Sequence, residues 1–426
     1  MSEARGQGGE SGDPLLRIPS LALLPGFGHP RPAVRLSAAR ATPPRLLRAM
    51  GHFRVHPVTF GNRVTLYTQG RDAFSAMLEA VEGARDHVNL ETYIFEADGV
   101  GRRFAEALAR RAAAGVTVNL TVDAVGCWGT PEGFFEDLAA RGVRVLVYNP
   151  VAPWRVKHGQ WVLNRRNHRK ILVVDGRVGF TGGMNIGDEY ESSAGADDRW
   201  KDTHLKVEGP AVKFLQRVFM GCRWRKEGDA VVPADYFPAL SPAGDHGVRV
   251  LPTNPVIGRP YVRIVLRRAI HAARESVHAT QAYFMPDARV LWSLQGAARR
   301  GVDVGLVVPS QSDVPLALEA GRSTYGRLLR AGVAIHERLG PVLHQKSVVV
   351  DGAWSILGSA NMDTRSFRIN HEISLDVLGR GFGERLEEVY RSDLALSRRL
   401  DAAAWAKRPL LTKWRQRILG MLRAFV

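Results

Sequence analysis

The stretch His168-Arg-Lys170-Ile-Leu-Val-Val-Asp175-Gly176, followed by Thr181-Gly-Gly183-Met-Asn185, returns later as His344-Gln-Lys346-Ser-Val-Val-Val-Asp351-Gly352, followed by Leu357-Gly-Ser359-Ala-Asn361. In both copies His to Lys is two residues, Lys to Asp five, and His to Asn seventeen. The apolar runs 171–174 and 347–350 read as strands, and residues two apart on a strand share a face. His168 and Lys170 therefore project to one side, as do His344 and Lys346. Each Asp-Gly pair signals a hairpin turn, and the returning strand brings Gly183 and Asn185, or Ser359 and Asn361, back beside the His and Lys.

The flanking sequence repeats in the same order. Val277-His-Ala-Thr-Gln-Ala-Tyr-Phe284 echoes Val88-Asn-Leu-Glu-Thr-Tyr-Ile-Phe95, and the Ala/Arg-Gly-Val segments after them match as well. Strand-like runs alternate with Ala/Leu/Arg helical stretches, the signature of an α/β fold. The chain is thus expected to form two similar halves, about 60–230 and 245–400, joined by the polar Pro/Gly segment 226–247. Each half is read as a mixed β-sheet flanked by helices, the two packed face to face around one active site. Residues 1–50, rich in Gly, Pro, Arg and Ala without periodicity, are expected to be disordered.

Two facing halves place two imidazoles, two ammonium groups and two amides around one cleft, which suits phosphodiester chemistry without a metal or cofactor. Displacement at phosphorus loads negative charge on the non-bridging oxygens, which Lys170, Lys346 and the Asn amides would stabilise. One neutral imidazole can attack phosphorus and hold it covalently. The other, starting protonated, serves the leaving alkoxide and then the incoming alcohol or water. Asp175 and Asp351 belong to the motif, but as first residues of Asp-Gly turns they are also natural hairpin formers. Asn185 and Asn361 could likewise be turn residues.

Paired motifs of this form, His-x-Lys-x4-Asp with the downstream Gly-Gly/Ser and Asn, resemble those of the phospholipase D superfamily over about residues 60–400. The resemblance implies a bilobal fold and a phosphohistidine intermediate, with the first-half His168 as nucleophile and His344 as general acid. It also implies a carboxylate bracing each histidine, carried here by Glu372 and Asp202. Glu91-Thr-Tyr-Ile-Phe95, Phe180-Thr-Gly-Gly-Met-Asn-Ile186, Trp200-Lys-Asp-Thr-His204, Gln281-Ala-Tyr-Phe-Met-Pro286 and Ser359-Ala-Asn-Met-Asp-Thr-Arg-Ser366 are most similar to bacterial cardiolipin synthases, in particular short forms without N-terminal membrane helices. That similarity implies phosphatidyl transfer to the hydroxyl of phosphatidylglycerol, giving cardiolipin. A hydrolase acting on phospholipid or nucleic acid with the same machinery is the alternative.

A formal net charge of +17 favours an anionic partner. Nucleic acid is the weaker choice, because no interleaving of aromatic and basic residues of the base-stacking kind is visible. The C-terminus points to lipid: Trp405, Leu410, Leu411, Trp414, Ile418, Leu422 and Phe425 recur at helical steps among six cations and no acid. Residues 405–426 are therefore expected to form an amphipathic helix on an anionic phospholipid surface, the competing reading being a helix packed on the protein's own core. Cys127 and Cys222 lack disulfide-framework or metal-site spacing. The expected location is peripheral, at the cytoplasmic face of the inner membrane.

Overall fold

Alternating apolar runs become alternating strands and helices in a computed structural model that describes residues 42–50, 56–155, 162–193, 199–227, 234–255 and 260–421. The first half supplies β1 (Thr59–Tyr67), β2 (His87–Thr92), β3 (Thr117–Asp123), β4 (Arg144–Tyr148), β5 (Ile171–Val174), β6 (Val178–Gly182) and β7 (His204–Glu208). The second supplies β8 (His246–Thr253), β9 (Ser276–Gln281), β10 (Phe284–Met285), β11 (Asp303–Pro309), β12 (Ala334–Arg338), β13 (Lys346–Val350), β14 (Trp354–Gly358), β15 (Met362–Asp363), β16 (Glu372–Leu378) and β17 (Ser397–Arg399). All but the small β10–β15 pair join one 15-stranded mixed sheet.

Read outward from its middle, that sheet runs β1-β7-β6-β5-β2-β3-β4 on one side and β8-β16-β14-β13-β9-β11-β12 on the other, with β17 added at the edge of the second. The internal repeat of the sequence is therefore a repeat of strand order. The halves meet edge to edge where β1 pairs with β8, antiparallel and with a register irregularity between Thr59 and Asn62. In each half two parallel pairings, β2–β3–β4 and β9–β11–β12, flank an antiparallel set.

Every residue of β2 and of β5 is buried, as expected of strands covered on both faces. Alternation sorts the side chains of β5. Leu172 and Val174 enter the core formed with Phe74, Phe104 and Leu108, while Ile171 and Val173 face Leu215 and Phe219 of the helix Val212–Glu227. The two Asp-Gly turns close as the sequence predicts. Asp175 and Gly176 have φ of 51° and 62°, Asp351 and Gly352 51° and 57°, the left-handed values a primed turn needs.

The chain ends depart from expectation in part. Residues 1–41 lie outside the described residues, but Pro44–Met50 is helical and plants Leu46, 1% exposed, in the second-half core beside Val265 and Leu266. Arg45 fixes it there, with Nη2 2.7 Å from Asp351 and Nε donating to Ala272 O. At the other end, Ala402–Ala406 and Leu410–Met421 form two helices rather than one, since Pro409 carries no N–H. The second packs on the helix Pro315–Leu329 largely through polar groups: Arg415 and Gln416 both reach Glu319. Leu419 adds an apolar contact, while Leu411 and Trp414 remain 82% and 63% exposed. Trp405 departs from the stripe and stacks on Tyr325; Leu422 and Phe425 lie outside the described residues.

Candidate active site

The carboxyl ends of the parallel strands open onto one edge of the sheet, the usual place for a site in such folds. Antiparallel β5 starts at that edge, Ile171 opposite Glu91, so the residues leading into it lie at the mouth. Two short bridges stitch the halves together there. Asn167 pairs with His371, and Lys201 with Leu343. His168 N–H donates to His371 O at 2.9 Å and His344 N–H to Lys201 O at 2.8 Å.

The next residue along each bridge is a carboxylate. Glu372 Oε2 lies 3.0 Å from His168 Nδ1, and Asp202 Oδ2 lies 2.6 Å from His344 Nδ1. Each imidazole is thus held by the opposite half. An ionised carboxylate only accepts, so we assign the proton of each ring to Nδ1, which leaves Nε2 free for chemistry. Lys346 Nζ also comes within 2.8 Å of His344 Nδ1, but two donors cannot share that contact, and the carboxylate holds it. The ladders make the two braces equivalent, Gly182 opposing His204 as Gly358 opposes Ser374. In sequence they are masked by unequal loops, 17 residues from Asn185 to Asp202 and 11 from Asn361 to Glu372.

The two braces differ in their surroundings. Ser359 Oγ donates to Glu372 Oε2 at 2.5 Å. Its counterpart is Gly183, where a Cβ would fall 2.3 Å from Asp202 Oδ1, so the glycine makes room for the carboxylate. Burial pushes the Asp202 carboxyl up to about 6.

Both lysines fold back onto the carbonyl of their own histidine, Lys170 Nζ donating to His168 O at 2.8 Å and Lys346 Nζ to His344 O. Burial first, then the charge of Lys346, lowers Lys170 to about 7; burial lowers Lys346 to about 8. Burial also lowers both histidines, with Lys346 and Lys170 adding to the effect on His344. Burial thus disfavours the ammonium charge in this centre, and a bound phosphate would favour it again.

The structure corrects the grouping of Asp175 and Asp351 with the reacting residues. Each lies at the far end of its strand, roughly 16 Å from the motif lysine at strand rise. Asp175 accepts the backbone N–H groups of Arg85, Asp86 and His87. Asp351 accepts those of Arg274, Glu275 and Ser276. They anchor the hairpin to the start of the neighbouring strand. The asparagines also differ. Asn185 is committed to Ile94 N and Tyr190 OH, whereas Asn361 Oδ1 has no partner among the described residues.

Residues not anticipated from sequence line the same cleft. The Tyr93 ring packs edge-on against His168 at 4.8 Å, and Tyr283 approaches His344 at 6.3 Å while its hydroxyl donates to Asp313. The repeat concealed the first pair, because Val88 and Val277 are equivalent in register and the tyrosines therefore fall one residue out of step. Trp200 and Tyr190 complete the wall around His344.

One centre built from two pseudo-equivalent halves, each lending a carboxylate to the other's histidine, defines an enzyme of the phospholipase D superfamily. The chain belongs to the cardiolipin synthase family within it: a model described as "Cardiolipin synthase, PLD-like domain" matches residues 77–195 and 266–394. A cardiolipin synthase of Geobacillus kaustophilus is 34% identical over 405 residues, spanning 94% of this chain and 80% of that protein. One from Listeria monocytogenes is 33% identical, spanning 86% and 76%. The fold is also that of a phosphatidylserine synthase from Haemophilus influenzae, with a TM-score of 0.62 at 12% identity, covering 85% of this chain and 95% of that one.

Proposed function

We propose that the enzyme makes cardiolipin by phosphatidyl transfer between phospholipids through a phosphohistidine on His168. The observation that carries this reading is the pair of cross-half braces, which leave one free Nε2 on each side of a lysine-lined centre. His168 Nε2 attacks the phosphorus of the donor; the P–N bond forms as the P–O bond to the leaving headgroup breaks. His344 gives that oxygen its Nε2 proton, so a small alcohol departs. The hydroxyl of phosphatidylglycerol then attacks the phosphohistidine, yielding its proton to His344 as the P–N bond breaks. Lys170 and Lys346, with Asn361, hold the charge that builds on the non-bridging oxygens. Glu372, tied by Ser359, accepts the Nδ1 proton of His168 and so keeps its Nε2 free to attack, while Asp202 accepts the Nδ1 proton of His344 and stabilises its protonated form.

The substrates are membrane lipids, and among the described residues no helix is long and apolar enough to cross a bilayer. Our reading is a peripheral enzyme on the cytoplasmic face of the inner membrane, with nucleic acid no partner. Leu410, Leu411, Trp414, Ile418 and Met421 expose an apolar stripe beside Lys413 and Arg417, which suits an anionic phospholipid surface. Cys127 and Cys222 are buried thiols, which suits a reducing compartment. The test is incubation of purified protein with labelled phosphatidylglycerol vesicles and identification of products by mass. Cardiolipin is expected; phosphatidic acid alone would replace transfer with hydrolysis.

A further inference from the structure

A cleft of about 1520 Å³ opens between the segments that follow β3 and β4. It exceeds the roughly 300–1,000 Å³ of ordinary small-molecule sites. Trp128, Phe135, Val145, Val147, Pro153 and Trp154 give it an apolar lining, and among the described lining residues Glu132 and Lys226 alone carry charge. Its other polar side chains are already committed. Thr130 Oγ1 donates to Phe95 O, and Cys127 Sγ to Tyr93 O. Asn149 donates to Arg165 O and accepts from Lys226 Nζ, whose ammonium lies over the Tyr148 ring. Thr130, Cys127 and Asn149 are thus occupied within the protein. Yet Trp128 and Trp154 are 73% and 84% exposed, and large apolar side chains left uncovered around a concavity mark a binding surface.

The cleft also backs onto the reacting centre. The carbonyl of Tyr93 that holds Cys127 belongs to the residue whose ring packs on His168. Arg166, two residues before His168, donates to Tyr148 O and Asn149 O in the cleft wall. A long apolar ligand seated here would lie against the residues that position Tyr93 and His168. We infer that this cleft holds an acyl chain of the phospholipid whose phosphate reacts at His168, an inference that rests on the phosphatidyl-transfer reading above. The diacylglycerol part of such a substrate matches this volume and the apolar surface that Trp128, Phe135, Val145, Val147, Pro153 and Trp154 present. Closing it over a chain removes both indoles from water, and apolar burial supplies the affinity.

The decisive experiment uses single-chain phosphatidylglycerol brominated at mid-chain, kept monomeric below its micelle concentration. It is titrated into full-length His168→Ala protein, and tryptophan fluorescence is read. Saturable quenching is expected, and most of it should vanish when Trp128→Phe and Trp154→Phe are added. Equal quenching with and without those indoles, or quenching seen only with vesicles, overturns the inference. A second variant, Val147→Asp, sits on the edge strand β4 where Val147 is 40% exposed. It places a carboxylate against the chain and should lower the ratio of kcat/KM for dioleoyl over dihexanoyl phosphatidylglycerol about tenfold. An unchanged ratio overturns the assignment. If the native enzyme forms no transfer product while the indole-dependent quenching persists, the transfer reading falls and the cleft stands as an acyl-chain site.

Discussion

Gly183→Ala tests the brace on His344 by adding a single methyl group. That Cβ would lie 2.3 Å from Asp202 Oδ1 and 2.4 Å from Oδ2, so the carboxylate must swing off its histidine. A hydrogen bond to a charged group contributes about 1.5–3 kcal/mol. At about 1.36 kcal/mol per decade, losing it where His344 must carry a proton should cost about ten- to 150-fold in kcat. Ser359→Ala at the matching position leaves the 3.0 Å contact of Glu372 with His168 in place and should cost about two- to tenfold. The assay is cardiolipin formation from phosphatidylglycerol vesicles, with thermal melting to confirm that the variants are folded. Because Gly183→Ala acts through Asp202, adding it to Asp202→Ala should cost little more. Additive losses in that double-mutant cycle, or a Gly183→Ala enzyme within twofold of native, would refute the reasoning.

The pH profile of kcat/KM should be bell-shaped, because it reports the free enzyme. Lys170 and Lys346, lowered to about 7 and 8, lose their protons as pH rises through those values and with them their hold on phosphate. Asp202, raised to about 6, gains a proton as pH falls through that value and loosens His344. Bound phosphate raises the lysines, so the alkaline limb of kcat should lie above that of kcat/KM; coincident limbs would contradict this. Asp351→Asn should lower stability by about 1–3 kcal/mol in denaturant unfolding while kcat is retained, since Asp351 accepts backbone N–H groups and an Arg45 contact remote from the centre. Removal of residues 410–426 should weaken binding to anionic vesicles and make the remainder more salt-sensitive. An insoluble truncation would assign that helix to the core instead.

What was legible in the sequence was the local and the repeated. The apolar runs at 171–174 and 347–350 and the Asp-Gly pairs specify two hairpins without reference to the rest of the chain, and their duplication specifies two halves. Within the site, the histidines and lysines were legible from their doubled spacing, and Glu372 and Asp202 only through the family resemblance. The exchange of those carboxylates between halves was not, because Glu372 is 204 residues from His168 and Asp202 is 142 from His344. Only the pairing of Asn167 with His371 and Lys201 with Leu343 brings them together. Asp175 carried two compatible readings, and three backbone donors decide for the turn. Helix Pro44–Met50 was hidden because it is only seven residues long and packs through the adjacent Leu46 and Leu47, which give no periodicity. The C-terminal stripe was visible as an amphipathic pattern, but sequence does not reveal that Glu319 draws in the polar side and leaves Leu411 and Trp414 outward.

The central claim is that His168 carries the phosphatidyl group, and rapid quenching tests it most directly. Enzyme mixed with phosphatidylglycerol labelled in its phosphate is denatured within a turnover, digested and mapped. Label should appear on the peptide bearing His168. It should still appear there in His344→Ala, which lacks the proton carrier but keeps the attachment site, and should be absent from His168→Ala. Label on His344, or cardiolipin formed at native rates with no histidine ever labelled, would contradict the account.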